Sequence, residues 1–225
     1  MKHVLVLRPE PGASATVERA RRLGLLPLAL PLFEVEPVAW QLPDLRDFGG
    51  LLLTSANSIR HGGGKLELLH GLPVYSVGAA TADAARSAGF DIVVTGDSDL
   101  EHLLGSIPPG LKLLHLAGEH RTPAPHARQR ITSLTVYRSV ALDGVDLGAA
   151  KDAVALVHSP RAGHRLAELT ERQRLDKSRV AIAAISRNAA SAAGPGWAAV
   201  ETAAAPNDEA LLALAASLCN NPASQ

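Results

Sequence analysis

Small and hydroxyl-bearing residues follow several short apolar runs of this sequence. They are Thr54, Ser55, Gly78, Gly118, Ser159 and Ser186. If the runs are parallel strands, these residues gather beyond the carboxyl ends of the strands, where open α/β sheets bind their ligands. The helix after each strand directs unpaired N–H groups and the positive end of its dipole toward that edge. Several such turns facing one cleft would bind a molecule that carries many carboxylates.

Each of these turns also has a purely structural interpretation. A serine or threonine at a strand-to-helix junction commonly caps the helix, with its oxygen accepting a hydrogen bond from the first turn. His158, which precedes Ser159, is more often a strand-end residue than a general base. Only the whole set of turns favours ligand binding over capping.

Nucleotide and metal sites have little support in the sequence. No G-x-G-x-x-G follows an apolar run, and no phosphate-binding loop is present. The nine histidines form no H-E-x-x-H and no Cys/His cluster, and His115, His120 and His126 lack a ligand spacing. We therefore expect neither a cofactor nor a metal.

Composition limits the expected partners and location. The 225 residues include 22 basic and 22 acidic ones, so no long-range field favours nucleic acid or an anionic membrane. No window approaches the roughly 20 apolar residues of a membrane helix, and the N-terminal apolar run is too short for a secretory signal. The single cysteine, Cys219, allows no intrachain disulfide, which fits a reducing compartment. We expect a cytoplasmic protein, and a monomer because no segment has the pattern of an obligate interface.

Short apolar runs without alternation predict buried parallel strands. They are Val4–Leu7, Leu51–Leu53, Val74–Val77, Ile92–Val94, Leu113–Leu116, Val154–Val157 and Val180–Ile185. Several are followed by Ser, Thr, Gly or Pro and then by a stretch of helical character that is rich in Ala, Leu and Arg. This order predicts an α/β fold with helices on both faces of a parallel sheet. A full helix is not expected in segment 119–133, which is short and interrupted by proline.

Two further stretches, residues 32–40 and 134–141, alternate apolar and polar residues and predict exposed extended segments. If they pair, they form a two-stranded linker, and the chain between them is a separate lobe at 38–134. The other α/β lobe is then discontinuous and consists of residues 1–35 plus 140–225. Strand-end motifs that recur at similar separations in both lobes support this division.

Taken together, the motifs resemble the uroporphyrinogen-III synthase family over nearly the whole chain. The elements that carry the resemblance are Leu7–Pro9, Leu53–Ser58, Tyr75–Ala82, Gly118, Val136–Arg138, His158–Pro160 and Pro206–Leu212. The resemblance implies two α/β lobes joined by a two-stranded linker, with no metal and no cofactor. It also implies the substrate hydroxymethylbilane, a linear tetrapyrrole with many carboxylates. The implied reaction is cyclisation to uroporphyrinogen III with inversion of ring D and loss of water.

The resemblance also assigns roles to residues. It places the family's linker tyrosine at Tyr137, our candidate proton donor to the departing hydroxyl; the alternative is that Tyr137 only packs on the linker. The residues expected to contact the substrate are Arg8, Thr54, Ser55, Asn57, Gly78, Thr81, Gly118, Ser159 and Ser186. The chain departs from the family's I-G-x-x-T-A element, because Ser186 replaces the glycine and Ala189 the threonine. His158 stands where a threonine is common.

Two other functions stay open at the level of sequence. A non-catalytic two-lobed protein could clamp an anionic small molecule with the same turns. A nucleotide-sugar transferase with two α/β lobes is a weaker alternative, because no phosphate loop is evident. Tyr137 and the T-S-x-N element at 54–57 favour the enzyme.

Overall fold

The computed structural model describes residues 2–96, 99–121 and 123–220. Contacts divide the chain into two compact units: unit 1 comprises Met1–Glu34 with Ala141–Gln225, and unit 2 comprises Val35–Val140. The helices are α1 (Gly12–Arg22), α2 (Ala56–His61), α3 (Ala79–Ser87), α4 (Leu100–Ser106), α5 (Pro160–Arg172), α6 (Arg187–Ala193) and α7 (Asp208–Asn220).

Unit 1 contains a five-stranded sheet whose described strands all pair in parallel. In spatial order they are β11 (Ala199–Thr202), β10 (Ala181–Ala184), β9 (Val154–Val157), β1 (His3–Val6) and β2 (Leu26–Ala29). Parallel strands cannot be joined by tight turns, so the chain returns through helices between them.

Different helices cover the two faces of this sheet, because neighbouring residues of a strand point to opposite sides. Val4 and Val6 pack with α1 and α7, whereas Leu5 and Leu7 pack with α5 and α6. All four side chains are fully buried. A strand that is buried on both faces has no place for polar residues, which explains the unbroken apolar runs of the sequence.

The second sheet has six strands and lies in unit 2 apart from the first residues of β3 and the last residue of β8. In spatial order the strands are β3 (Phe33–Pro37), β8 (Arg130–Ala141), β7 (Lys112–Gly118), β4 (Gly50–Leu53), β5 (Val74–Val77) and β6 (Ile92–Gly96). The pairs from β8 to β6 are parallel. Helix α3 packs on the face of Leu51 and Leu53, and α4 packs on the face of Leu52.

The two alternating segments form β3 and β8, which are neighbours in the second sheet. Hydrogen bonds join Val38 to Val136 and Leu142 to Leu32, so the two segments run in opposite directions. The boundaries of the units fall within β3 and at the end of β8. Strand β8 begins at Arg130, ahead of the predicted linker, and its first part pairs with β7.

The structure confirms the α/β class predicted from the sequence. Every apolar run predicted as a strand overlaps one of the strands β1, β4 to β7, β9 and β10. The apolar pattern missed β2 and β11, which are the edges of the first sheet and mostly exposed. Strand β2 also contains Pro27, a residue that sheets accept at their edges. As expected, no helix occurs in the described part of segment 119–133.

Helices α5 and α6 pack so closely that a Cβ atom at Gly163 would lie 2.9 Å from the Ala189 carbonyl oxygen and from the Ala193 amide nitrogen. We expect Gly163→Ala to lower the free energy of unfolding by about 1–3 kcal/mol, because the helices must separate to accept the methyl group. Gly105→Ala is the matched control: Gly105 also lies in a helix, and nothing is within 4 Å of its Cβ position. That variant should gain about 0.5–1 kcal/mol of helix propensity. Urea unfolding measures both, and equal midpoints would contradict the close packing.

Candidate functional site

In unit 2 the carboxyl ends of β7, β4 and β5 lie side by side at a cavity of about 370 Å³. Its lining comprises Thr54, Ser55, Val77, Asp99, Leu100, His115, Gly118, His120, Arg121 and Tyr137. Four residues that the sequence analysis assigned to the substrate site are therefore brought together: Thr54, Ser55, Gly118 and Tyr137. Their proximity follows from parallel pairing, which places the turns after these strands at one edge of the sheet.

A buried histidine holds the hydroxyl of Thr54. Thr54 Oγ1 lies 3.0 Å from His115 Nε2, and Ser133 Oγ lies 3.2 Å from His115 Nδ1. His115 is only 4% exposed. Burial, with a smaller contribution from the charge of Arg121, lowers the pKa of His115 to about 4. The imidazole is therefore neutral near pH 7, with one N–H donor and one accepting nitrogen.

Arg121 brings a positive charge to the wall of this cavity. Its Nη1 lies 3.5 Å from the carbonyl oxygen of Gly118 and 3.4 Å from the hydroxyl of Thr135. A guanidinium has five N–H donors in a planar fork, so two contacts at the limit of hydrogen bonding do not exhaust them. The group can bind a carboxylate in a bidentate manner.

Tyr137 reaches the cavity because the residue opposite it is a glycine. A Cβ atom at Gly118 would lie 2.7 Å from the tyrosine ring and 2.9 Å from its oxygen, so a larger residue would displace the ring. The register between β7 and β8 shifts after Ala117, which pairs Gly118 with Tyr137 rather than with Val136. Such a bulge inserts one extra residue and re-aims a side chain. The bulge and the glycine together set the direction of the phenol.

Three other predicted residues of unit 2 are outside the described lining of this cavity. Asn57 lies in the first turn of α2, where its Oδ1 accepts a hydrogen bond from Arg60 at 3.2 Å. Gly78 precedes α3 with a φ of +78°, a conformation that glycine adopts without strain. Thr81 lies within α3 and is buried. A substrate contact by any of these three residues stays a prediction.

The predicted serines of unit 1 act as helix caps. Ser159 Oγ accepts a hydrogen bond from the Ala162 amide at 3.2 Å, and Ser186 Oγ accepts one from the Ala189 amide at 3.3 Å. In unit 2, Ser55 caps α2 in the same manner. A serine that accepts such a bond keeps its own hydroxyl proton, which it can donate to a carboxylate. Capping and ligand binding are therefore compatible at these positions.

A carboxylate links three elements of unit 1. Asp208, the first residue of α7, accepts hydrogen bonds from Thr16 and Arg19 of α1 at 3.0 and 2.6 Å. His158, which follows β9, donates from Nε2 at 3.0 Å, since a carboxylate can only accept. Arg8, a predicted substrate contact, has its Nη1 3.8 Å from the same carboxylate. We call these five residues the Asp208 cluster.

Hydrogen bonding decides the charge at the centre of the Asp208 cluster. Burial alone would raise the pKa of Asp208, but the bonds from His158, Arg19 and Thr16 outweigh it and hold that pKa well below its usual range. The carboxylate is therefore ionised near pH 7. On the other side of the imidazole, His158 Nδ1 is buried and has no hydrogen-bond partner among the described residues.

Asp208, His115 and Arg121 were not among the site residues predicted from the sequence. Asp208 has a signal, because it lies in Pro206–Leu212, one of the elements of the family resemblance. His115 is a polar residue within an apolar run, a position where a buried group requires hydrogen-bond partners. Arg121 lies in an irregular segment, and no pattern marks it. Within the described ranges, no three His, Cys, Asp or Glu side chains are grouped to hold a metal ion.

A family model and two named relatives match this chain. The family model described as "Uroporphyrinogen-III synthase HemD" matches residues 14–213. A uroporphyrinogen-III synthase of Chlorobaculum parvum is 32% identical over 119 residues, which are 48% of this chain and 48% of that protein. A porphyrin biosynthesis protein HemD of Ruminiclostridium josui is 30% identical over 99 residues, 38% of this chain and 20% of that protein. The chain thus matches about half of the first relative's length and a fifth of the second's.

Solved structures show the same fold. A uroporphyrinogen-III synthetase from Helicobacter pylori superposes with a TM-score of 0.66 at 18% identity, over 96% of this chain and 99% of that chain. A mutant uroporphyrinogen III synthase from Thermus thermophilus gives a TM-score of 0.52 at 21% identity, over 98% and 100% of the two chains. At these identities the likeness concerns the fold.

None of the helices that the structure describes has the length and apolar character needed to cross a membrane.

The Asp208 cluster predicts a pH-dependent contribution to stability. We expect Asp208→Asn to lower the free energy of unfolding by about 1.5–3 kcal/mol at pH 7, the loss of charge-assisted hydrogen bonds. Because the pKa of Asp208 is lowered in the folded chain, this contribution is complete above the unfolded-state pKa of about 4 and is lost as the pH falls toward the folded-state value. Urea unfolding of both proteins at pH 7 and pH 3 should therefore show a smaller difference at pH 3.

Glu209→Gln is the control for that measurement, because Glu209 carries the same charge in the first turn of α7 but is exposed. Its substitution should change the free energy of unfolding by less than about 0.5 kcal/mol. An equal effect of both substitutions would show that the helix dipole, and not the Asp208 cluster, is responsible.

Proposed function

We propose, because the chain belongs to the uroporphyrinogen-III synthase family, that it cyclises hydroxymethylbilane to uroporphyrinogen III, with inversion of ring D and loss of water. The observation that carries the proposal is the cavity of unit 2. There hydroxyl groups, a guanidinium and the phenol of Tyr137 surround the carboxyl ends of parallel strands. The non-catalytic alternative gains no support from the comparisons, since the matched relatives bear names of this biosynthesis.

The reaction requires orientation more than activation. Departure of the substrate hydroxyl as water leaves an electrophilic azafulvene, which the terminal ring attacks through its already substituted carbon. The resulting spiro intermediate fragments and recloses with that ring inverted. The linear substrate closes without help to isomer I, so the protein has to hold the carboxylate arms where attack through the substituted carbon is favoured.

The carboxylate arms need hydrogen-bond donors, and the cavity of unit 2 supplies several. Thr54 and Ser55 offer hydroxyl groups, and Arg121 offers a planar fork of N–H groups. We keep the other predicted contacts as part of the proposal; they are Arg8, Asn57, Gly78, Thr81, Gly118, Ser159 and Ser186. Because Ala189 has no hydroxyl, a hydroxyl contact from the element at 185–190 can come only from Ser186.

Tyr137 is the proposed proton donor to the departing hydroxyl. Its phenol lines the same cavity as Thr54 and Arg121, and the absence of a side chain at Gly118 leaves space for the ring. A phenol is a weaker acid than an imidazolium or a carboxyl group, so we expect a contribution at the low end of general-acid catalysis, about 100-fold. The ring also packs at the rim of the apolar cluster of unit 2, which fixes its orientation.

We also propose that the protein acts as a cytoplasmic monomer on this small-molecule substrate, without a cofactor, a metal, nucleic acid or a membrane. The equal numbers of acidic and basic residues support the absence of nucleic acid and of an anionic membrane as partners. The single cysteine is compatible with a reducing compartment.

Purified protein mixed with freshly prepared hydroxymethylbilane should form mainly uroporphyrinogen III. Oxidation of the products to porphyrins, followed by chromatographic separation of the isomers, measures the ratio of isomer III to isomer I. A protein-free reaction is the control and should give isomer I. If the protein also gives only isomer I, the catalytic proposal is wrong and a binding function becomes the better hypothesis.

Replacement of Tyr137 by phenylalanine should lower kcat about 100-fold, with a smaller effect on KM, because the ring stays and only the proton donor is lost. Tyr75→Phe is a matched control: the chain contains two tyrosines, and Tyr75 is buried against α4 outside the described cavity lining. Steady-state rates of the wild type, Tyr137→Phe and Tyr75→Phe distinguish proton donation by Tyr137 from packing. A Tyr137→Phe protein with a kcat within twofold of the wild type would show that Tyr137 only packs.

A further inference from the structure

A row of three polar side chains crosses one face of the second sheet. His115 pairs in register with Ser133 of β8 and with Leu52 of β4. Thr54 follows Leu52 by two residues and therefore points to the same side. Ser133 lies 3.2 Å from Nδ1 of His115, and Thr54 lies 3.0 Å from Nε2. The row thus runs without a break from β8 to the turn after β4.

This row adjoins the part of the face that is apolar and packs with α4. Leu52, Leu113 and Ile131 occupy neighbouring positions on the same side and pack with α4. A leucine at position 115 would continue that face and would avoid burying an imidazole. The row instead ends at the Thr54 hydroxyl, in the lining of the cavity. Stability alone gives no reason for a histidine here, whereas control of the Thr54 hydroxyl does.

The direction of the protons along the row depends on one tautomer. A neutral imidazole has one N–H and one accepting nitrogen. If the N–H is at Nδ1, Thr54 must donate to Nε2, and its oxygen can offer only lone pairs to a ligand. If the N–H is at Nε2, His115 donates to Thr54 and Ser133 donates to Nδ1. The Thr54 proton is then left for a ligand, and each bond of the row strengthens the next.

We propose that His115 is a positioning residue that keeps the Thr54 hydroxyl proton directed toward a carboxylate arm of the substrate. The inference rests on the proposed function, because a carboxylate only accepts hydrogen bonds and Thr54 can donate to it only when His115 carries its proton on Nε2. The row must therefore hold the Nε2–H tautomer before the substrate binds. His115 also lines the cavity but is only 4% exposed, which leaves Thr54 as the group that meets the substrate. His115 acts through Thr54 and determines whether the turn after β4 is a donor or an acceptor.

Nuclear magnetic resonance of ¹⁵N-labelled wild-type protein tests the tautomer without substrate. Two-bond ¹H–¹⁵N correlations of the ring should show a neutral imidazole with its proton on Nε2 at pH 7. The His115 signals are assigned by their loss in His115→Phe, or in His115→Gln if the phenylalanine protein does not fold. A proton on Nδ1, or an imidazolium, at pH 7 overturns the inference.

A double-mutant cycle tests the action through Thr54. Thr54→Val should raise the KM for hydroxymethylbilane about 10-fold, the equivalent of one hydrogen bond to a charged group, with kcat nearly unchanged. His115→Phe should raise KM in the wild type but add nothing to Thr54→Val, because the two residues act as one unit. Additive effects overturn the inference.

Ser133→Ala is a milder variant that keeps the imidazole. Without a donor to Nδ1, the Nδ1–H tautomer should become populated in the spectrum, and KM should rise about threefold, as for one neutral hydrogen bond. A spectrum and a KM identical to those of the wild type overturn the inference. The outcomes also separate two failures: a wild type that forms no isomer III refutes the proposed function, whereas an active wild type with an unchanged KM in His115→Phe refutes only the role of His115.

Discussion

Parallel pairing of strands governs the architecture of both units. A chain that pairs in parallel must return through a crossover before it can form the next strand. Most crossovers here contain a helix, and these helices cover both faces of the sheets, whereas the connection from β7 to β8 has no described helix. Central strands such as Leu51–Leu53 are therefore largely apolar. Most polar groups lie in the turns, with exceptions such as His115 in β7, and the turns that follow parallel strands meet at one edge. Parallel pairing alone therefore brings these turn residues together at that edge.

The two units use this edge differently. In unit 1, Thr16 and Arg19 of α1 and His158 at the end of β9 donate to a carboxylate of the chain itself, Asp208 at the start of α7. In unit 2, hydrogen-bond donors near the ends of the strands, such as Thr54, Ser55 and Arg121, line a cavity. A charge that is hydrogen-bonded within the fold contributes to stability, whereas hydrogen-bond donors that face a cavity are available to a ligand. In the proposed function Thr54 and Arg121 serve substrate recognition, whereas the hydrogen bonds of Asp208 stabilise its unit.

Sequence patterns predicted the parts of the fold that depend on burial from both sides. β4 and β9 could be read from their apolar runs, whereas the mostly exposed edge strands β2 and β11 carry no such pattern. The turn residues Thr54 and Ser55 could be predicted because a turn is local. His115 and Asp208 could not, since their partners depend on which strands are neighbours: Thr54 is 61 residues from His115, and Thr16 is 192 residues from Asp208.

The register shift between β7 and β8 has a consequence for how this site can vary. On a regular strand, side chains alternate between the two faces, so the count of residues determines which of them faces a given side. The bulge changes that parity once, between Ala117 and Gly118, and so moves Tyr137 to the side of Gly118. A point substitution in β8 can alter the contacts of the phenol, but it does not change which position of the sequence lies opposite Gly118. Insertion or deletion of a single residue ahead of Tyr137 would place a different amino acid opposite Gly118 at the cavity. The side chain found there therefore depends on the number of residues in the strand as well as on their types.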